Sequence, residues 1–230
     1  MFVRYSLTYS SEEAAQAFGV DVPAGYEPQY NAAPTHLLPV ITQDSQKGFS
    51  FFYWGAPPSR ANKKALGERI INTRVELIRE KPVLLKRIAH QRCIVPADGY
   101  YDWKKIGKKA NVPYRFTLKS KDPFFIAGTW EEYEDENGET LHTFNLITTE
   151  PSPSVAIVSE RMPAMLSLDA GKLWLNFEAE DEIVAALKPS PETLEYYSVS
   201  QLVNFPDRNN KLVILPAPAA DQYGNLTLFD

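Results

Sequence analysis

The chain has 230 residues, of which 44% are hydrophobic and 23% charged, a balance that fits a folded globular protein and excludes a disordered one. No apolar run approaches the roughly 18 residues of a membrane-spanning helix, and the opening MFVRYSLTYSSEE lacks an apolar stretch of signal-peptide length. The one cysteine, Cys93, excludes an intramolecular disulfide and a cysteine-based zinc site, so the cytoplasm is the expected compartment, and a net charge of −5 argues at first against nucleic acid.

Prolines number 18, about 8% of the chain against about 5% on average, which predicts short elements and irregular connections. Ser10, followed three residues later by Glu13, forms a capping box, and Gly19 closes the helix carrying AAQAF. Residues 20–35 read as a long loop ending at YNAAPT. Strands are expected at LLPVIT (37–42) and FSFFYW (49–54), with irregular chain over 55–73. Helical spacing marks 75–80 and 83–90, Pro82 opening the second. The middle is strand-rich, at 92–95, 99–106, 113–119, 124–133 and 142–149, with turns at IGKKAN and DENGE that suggest antiparallel hairpins. Helices near 168–177, with Ser167 as N-cap, and at EDEIVAALK precede strands at EYYSV and KLVILP. No repeat or linker is evident. The expected architecture is one α+β domain over 1–230, mixed and mainly antiparallel, a sheet or open barrel flanked by short helices. Its ordered core spans about 2–216, with a tail at 217–230.

Charge is distributed unevenly. Residues 60–119 hold 16 of the 24 Lys and Arg but five of the 29 acids, a net +11 that leaves the remainder at −16. A local positive face is what a phosphate backbone feels, so this segment reopens a nucleic-acid reading; solvated lysines and arginines merely close in sequence are the plainer one.

The sequence has no dinucleotide-binding glycine fingerprint, no phosphate-binding P-loop, no HExxH and no GxSxG. His36, His90 and His142 lie far apart without metal-ligand spacing and read as surface or structural residues, and Cys93 as a buried core thiol. Several clusters are harder to assign to packing. Arg4 follows the N-terminus, Asn31 sits in YNAAPT beside Pro34, and Trp54 precedes a proline-rich loop. Asn72 and Arg74 in INTRVE are two apart on one strand face. Asp102 and Trp103 end a Gly-led strand, and Arg161 opens RMPAML two residues after Ser159. Each has an ordinary structural alternative: core aromatics, turn residues, ion-pair partners.

In this order the clusters resemble the SRAP domain family, the SOS-response-associated peptidases that process abasic sites. The matching stretches are RYSLT (4–8), YNAAPT (30–35), WG (54–55), INTR (71–74), RCIVPADGYYDWKK (92–105), FNLITT (144–149), RMPAML (161–166) and VSQLVN (199–204). The resemblance implies a cysteine at position 2, exposed once the initiator methionine is removed. Its amine and thiol trap the aldehyde of an abasic site in single-stranded DNA as a thiazolidine crosslink, and it is implicated in self-removal of the N-terminal residue. A glutamate, an asparagine and a histidine of the family serve the proton transfers.

This chain departs from that pattern. Residue 2 is Phe2, Val3 stands where glycine is usual, Asp102 stands for the glutamate and Ser159 for the histidine, while Asn72 is retained. Phenylalanine supplies no sulfur and should block removal of Met1. An amine alone could form a reversible Schiff base, but no ring would close to trap it. By the same resemblance Arg4, Asn31, Asn72, Arg74 and Arg161 line a DNA groove with Trp54 and Trp103 nearby. The expectation is therefore a monomeric, cofactor-free and metal-free protein that binds single-stranded or abasic DNA, nucleoid-associated when bound, with little or no crosslinking or self-peptidase activity. Two alternatives stay open: an enzyme using the Met1 amine, and an interaction module without DNA.

Overall fold

A computed structural model describes residues 3–57, 71–106, 110–134, 137–189 and 194–219. Phe2, most of the expected irregular stretch 55–73, parts of both expected hairpin turns and the end of the tail lie outside these residues.

Two sheets organise the chain. In the first, β1 (Arg4–Leu7), β2 (Gln29–Ala32), β7 (Gly99–Ile106), β8 (Ala110–Leu118) and β13 (Leu194–Ser198) lie in the order β13-β8-β7-β1-β2, all antiparallel. In the second, β3 (Leu37–Thr42), β4 (Ser45–Trp54), β6 (Arg92–Ala97), β9 (Phe124–Glu134) and β10 (Thr140–Thr149) form a barrel. β9 pairs with β10 antiparallel, and a parallel β10–β4 contact completes the ring. Short β5 (Asn72–Arg74) adds to β10 in parallel beyond β4.

The apolar runs RCIV and FFIA are continuous because both faces of their strands are buried. Cys93, Val95 and Ala97 of β6, with Phe124 and Ile126 of β9, enter one core with Tyr5, Trp54, Tyr100 and Phe144. The alternate residues Ile94, Phe125 and Ala127 enter a second core with Phe18, Phe49, Ile88 and Trp174, beneath the helices. Those helices are α1 (Ser11–Phe18), α2 (Glu76–Glu80), α3 (Pro82–His90), α4 (Pro153–Ala156), α5 (Leu168–Asn176) and α6 (Glu180–Ala185). The capping box of α1 forms as expected, Gly19 is left-handed at φ 67°, and the Ser167 hydroxyl caps α5.

Among the described cations of the basic segment, Arg92 and Arg115 are buried and so add nothing to a positive face. Arg92, fully buried, donates to the carbonyls of Ile88, Ala89, Leu175 and Phe177 at 2.7–3.0 Å, satisfying the ends of α3 and α5. Arg115 is buried against Asp98 at 2.9 Å, and that carboxylate also accepts from Ser6 and Thr8, tying β1 to the sheet. Arg79 and Arg87 pair with Asp181 and Glu131. Two expectations on elements also change. The end of the expected loop forms β2, because the Asn209 side chain accepts from the backbone of Tyr30 and Asn31 at its open edge. KLVILP forms a 3-10 turn (Lys211–Ile214), started by the Asn210 side chain, instead of a strand.

β9 and β10 pair only as far as Gly128 opposite Leu146, then part. β11 (Met162–Pro163) and β12 (Met165–Leu166) fill the gap, β11 pairing with β10 and β12 with β9. Between them Ala164 donates to the Ile147 carbonyl at 2.8 Å and accepts from the Ala127 amide at 2.9 Å. A Cβ at Gly128 would stand 2.7 Å from the Asn145 carbonyl oxygen and 3.1 Å from the Cys93 sulfur. Gly128→Ala is therefore expected to destabilise the fold by about 1–3 kcal/mol, as overpacking against backbone does. Urea unfolding measures this, and a midpoint equal to wild type would show that the strands can move apart without cost.

Candidate DNA-binding cleft

At the end of β10 a cleft of about 630 Å³ opens. β5 brings Asn72 and Arg74 to one side of the end of β10, and the chain leading into β11 brings Ser159 and Arg161 to the other. Asp102 and Trp103 come from β7, and Leu77, Val83, Leu84 and Val158 supply an apolar wall. Arg4 lies opposite Tyr101, so the same register carried one residue further brings Val3 alongside Asp102.

Asp102 is buried, and each of its carboxylate oxygens is held: Oδ1 accepts from the Trp103 amide at 2.8 Å, Oδ2 from the Ser159 hydroxyl at 2.7 Å. The Ser159 oxygen in turn accepts from the Arg161 amide at 3.3 Å. Thus the two positions at which the resemblance implies glutamate and histidine touch each other in this chain. The Ser159 hydroxyl is a group that stays neutral at physiological pH.

Arg161 reaches across the end of β10. Its Nη1 and Nη2 donate to Oε1 and Oε2 of Glu76 at 2.7 and 3.0 Å, and Nη2 also donates to the Thr148 carbonyl at 2.6 Å. The Arg161 guanidinium, with a smaller contribution from the charge of Arg74, holds the Glu76 carboxyl below the usual carboxylate range, against the opposing effect of partial burial. Arg74 is exposed and carries no ion pair or hydrogen bond among the described residues. Lys81 and Lys105, also exposed, complete the cationic lining, against Asp102 and Glu160.

Of the residues expected at a DNA groove, the cleft brings together Asn72, Arg74, Trp103 and Arg161, with Asp102 and Ser159 of the catalytic set. Trp103 is half-buried, its Nε1 donating to Asn204. Arg4, Asn31 and Trp54 are not in the lining. Trp54 is fully buried, with Nε1 on the Ile71 carbonyl at 2.8 Å and its ring beside Tyr5 and Phe144, so it presents no stacking face. Asn31 is buried too and donates to the Phe205 carbonyl. Arg4 is half-buried, donates to the Val3 carbonyl at 2.8 Å, and has a pKa lowered by burial. Sequence reasoning missed Glu76, Lys81 and Lys105. Glu76 stands in the quoted INTRVE, two residues after Arg74, but its partner is 85 residues away and no local signal links them.

A family model described as SOS response associated peptidase (SRAP) matches residues 1–206. The chain belongs to the SRAP family. It is 36% identical over 221 residues to the abasic site processing protein YoaM of Bacillus subtilis, covering 93% of this chain and 97% of the relative. It is 28% identical over 190 residues to the abasic site processing protein YedK of Escherichia coli, covering 80% and 83%. A crystal structure of a protein from Bacteroides thetaiotaomicron superposes with a TM-score of 0.80 at 25% identity, covering 94% of this chain and 99% of that one. Among the described residues no cluster of metal-ligating side chains occurs and no helix is long and apolar enough to cross a membrane.

The two cleft arginines differ in what they do for the fold. Arg161→Ala removes a charged fork and leaves Thr148 and Glu76 short of a donor, an expected cost of about 1–3 kcal/mol. Arg74→Ala is expected to leave the melting temperature unchanged. Because the folded-state pKa of Glu76 is depressed, its stabilisation is present above its unfolded value and lost as pH falls through the folded one. The Arg161→Ala penalty should accordingly shrink in acid. Thermal melts of both variants across that range check this, and equal penalties at Arg74 and Arg161 would contradict it.

Proposed function

We propose that this SRAP protein binds single-stranded or abasic DNA in its cleft without forming the thiazolidine crosslink, acting in the handling of damaged DNA. The convergence of Arg74, Lys81, Lys105 and Trp103 on one cleft carries the reading. Several cations lining one cleft suit a phosphate backbone, while the half-buried Trp103 and the aliphatic wall offer apolar contact to a base. Relatives named abasic site processing proteins support DNA as the partner.

The absence of crosslinking follows from chemistry. Thiazolidine formation adds an amine and a thiol to one aldehyde carbon with loss of water, and residue 2 here carries a benzyl group. A Schiff base at an amine would remain open to hydrolysis. Ser159 offers no group that titrates near neutral pH, and its hydroxyl proton is already given to Asp102. What remains is recognition.

On single strands with and without an abasic site, the protein should shift the oligonucleotide under native conditions and release it on denaturation. Affinity should fall with salt at about −0.7 in log–log slope per phosphate neutralised, and Arg74→Ala should flatten the slope by about that amount without altering the melting temperature. A band surviving denaturation without reductant contradicts the non-covalent reading, and an Arg74→Ala slope equal to wild type contradicts the place of binding.

A further inference from the structure

Among the described residues lining the cleft, Arg161 is the only cation with an acidic partner, and the partner is held in a fork. Both terminal nitrogens of the guanidinium face both oxygens of Glu76, the arrangement in which arginine also takes a phosphate. The two sides of the pair are unequally fixed. Arg161 has a side chain 17% exposed and is tied to the Thr148 carbonyl and hydroxyl, whereas Glu76 is 43% exposed and opens the five-residue helix α2.

We propose that Glu76 is a resident anion in the phosphate seat of Arg161, filling it while the cleft is empty and swinging out when a backbone phosphate arrives. The proposal rests on the DNA-binding reading above and adds how the cleft selects its ligand. Arg161 can stay in place on Thr148 when Glu76 leaves, so the seat is prepared and only the occupant is exchanged. A lone anion gains little from exchanging one carboxylate for itself. A strand that also reaches Arg74, Lys81 or Lys105 adds contacts that Glu76 cannot match, so the exchange favours a polyanion over a monovalent or single phosphate group. Glu76 thereby trades affinity for selectivity.

Binding of an end-labelled oligothymidine, followed by anisotropy over a salt series, tests the exchange in wild type, Glu76→Gln and Glu76→Ala. Gln keeps the shape and an acceptor for Arg161 while removing the charge, and Ala removes the competitor altogether. Both variants are expected to bind several-fold tighter than wild type, because the arriving phosphate no longer has to displace Glu76, with a salt slope close to that of wild type because the same phosphates are contacted in the complex. Inorganic phosphate should compete more effectively against either variant than against wild type. Binding equal to wild type in both variants overturns the proposal while leaving DNA binding intact. Weaker binding overturns it too and makes Glu76 a positioning residue for Arg161. If no form binds, the DNA reading itself falls, and this inference with it.

Discussion

The parting of β9 and β10 governs the molecule. A barrel wall hydrogen-bonded along its whole length would leave no opening at its end. Here pairing stops at Gly128–Leu146 because the segment 162–166 takes over the backbone partners of both strands, through Ala164 above all. The exchange costs no backbone hydrogen bonds, which is why a wedge can be stable in a buried wall. Residues 159–161, leading into the wedge, are delivered to the side of β10 opposite β5, so one strand end separates Arg161 from Asn72 and Arg74.

Around that strand end the polar side chains form two internal pairs of different character. Asp102 with Ser159 is buried and satisfied, one carboxylate held by a hydroxyl and an amide. It shapes one wall of the cleft. Glu76 with Arg161 is closer to solvent. Asp102 and Ser159 thus act as one structural unit, since the two side chains meet.

The barrel and the site were legible in the sequence to different depths. Continuous apolar strands, the Ser10–Glu13 capping box and Pro82 at the start of α3 are local signals and the structure follows them. KLVILP failed as a strand because Asn210 starts a 3-10 turn there, and β2 was hidden because its edge is closed by Asn209, far along the chain. At the cleft, Asn72 and Arg74 were readable from their spacing of two. Trp54 was misread: a tryptophan before a turn looks alike in sequence whether its ring faces solvent or, as here, the core. The basic segment overstated the positive face, because burial of Arg92 and Arg115 depends on contacts that sequence proximity does not encode.

Amide hydrogen exchange with and without an abasic single-stranded oligonucleotide tests the central claim most directly, because it reads where the ligand sits without a substitution. A second groove, of about 620 Å³ beside Tyr9, Glu13 and Asp122, serves as the internal comparison. Ligand-dependent protection is predicted over 72–77, 102–105 and 159–161, reversed by high salt, with the second groove unaffected. Protection centred on the Tyr9–Glu13 groove, or protection at the cleft that persists in high salt, would contradict the account.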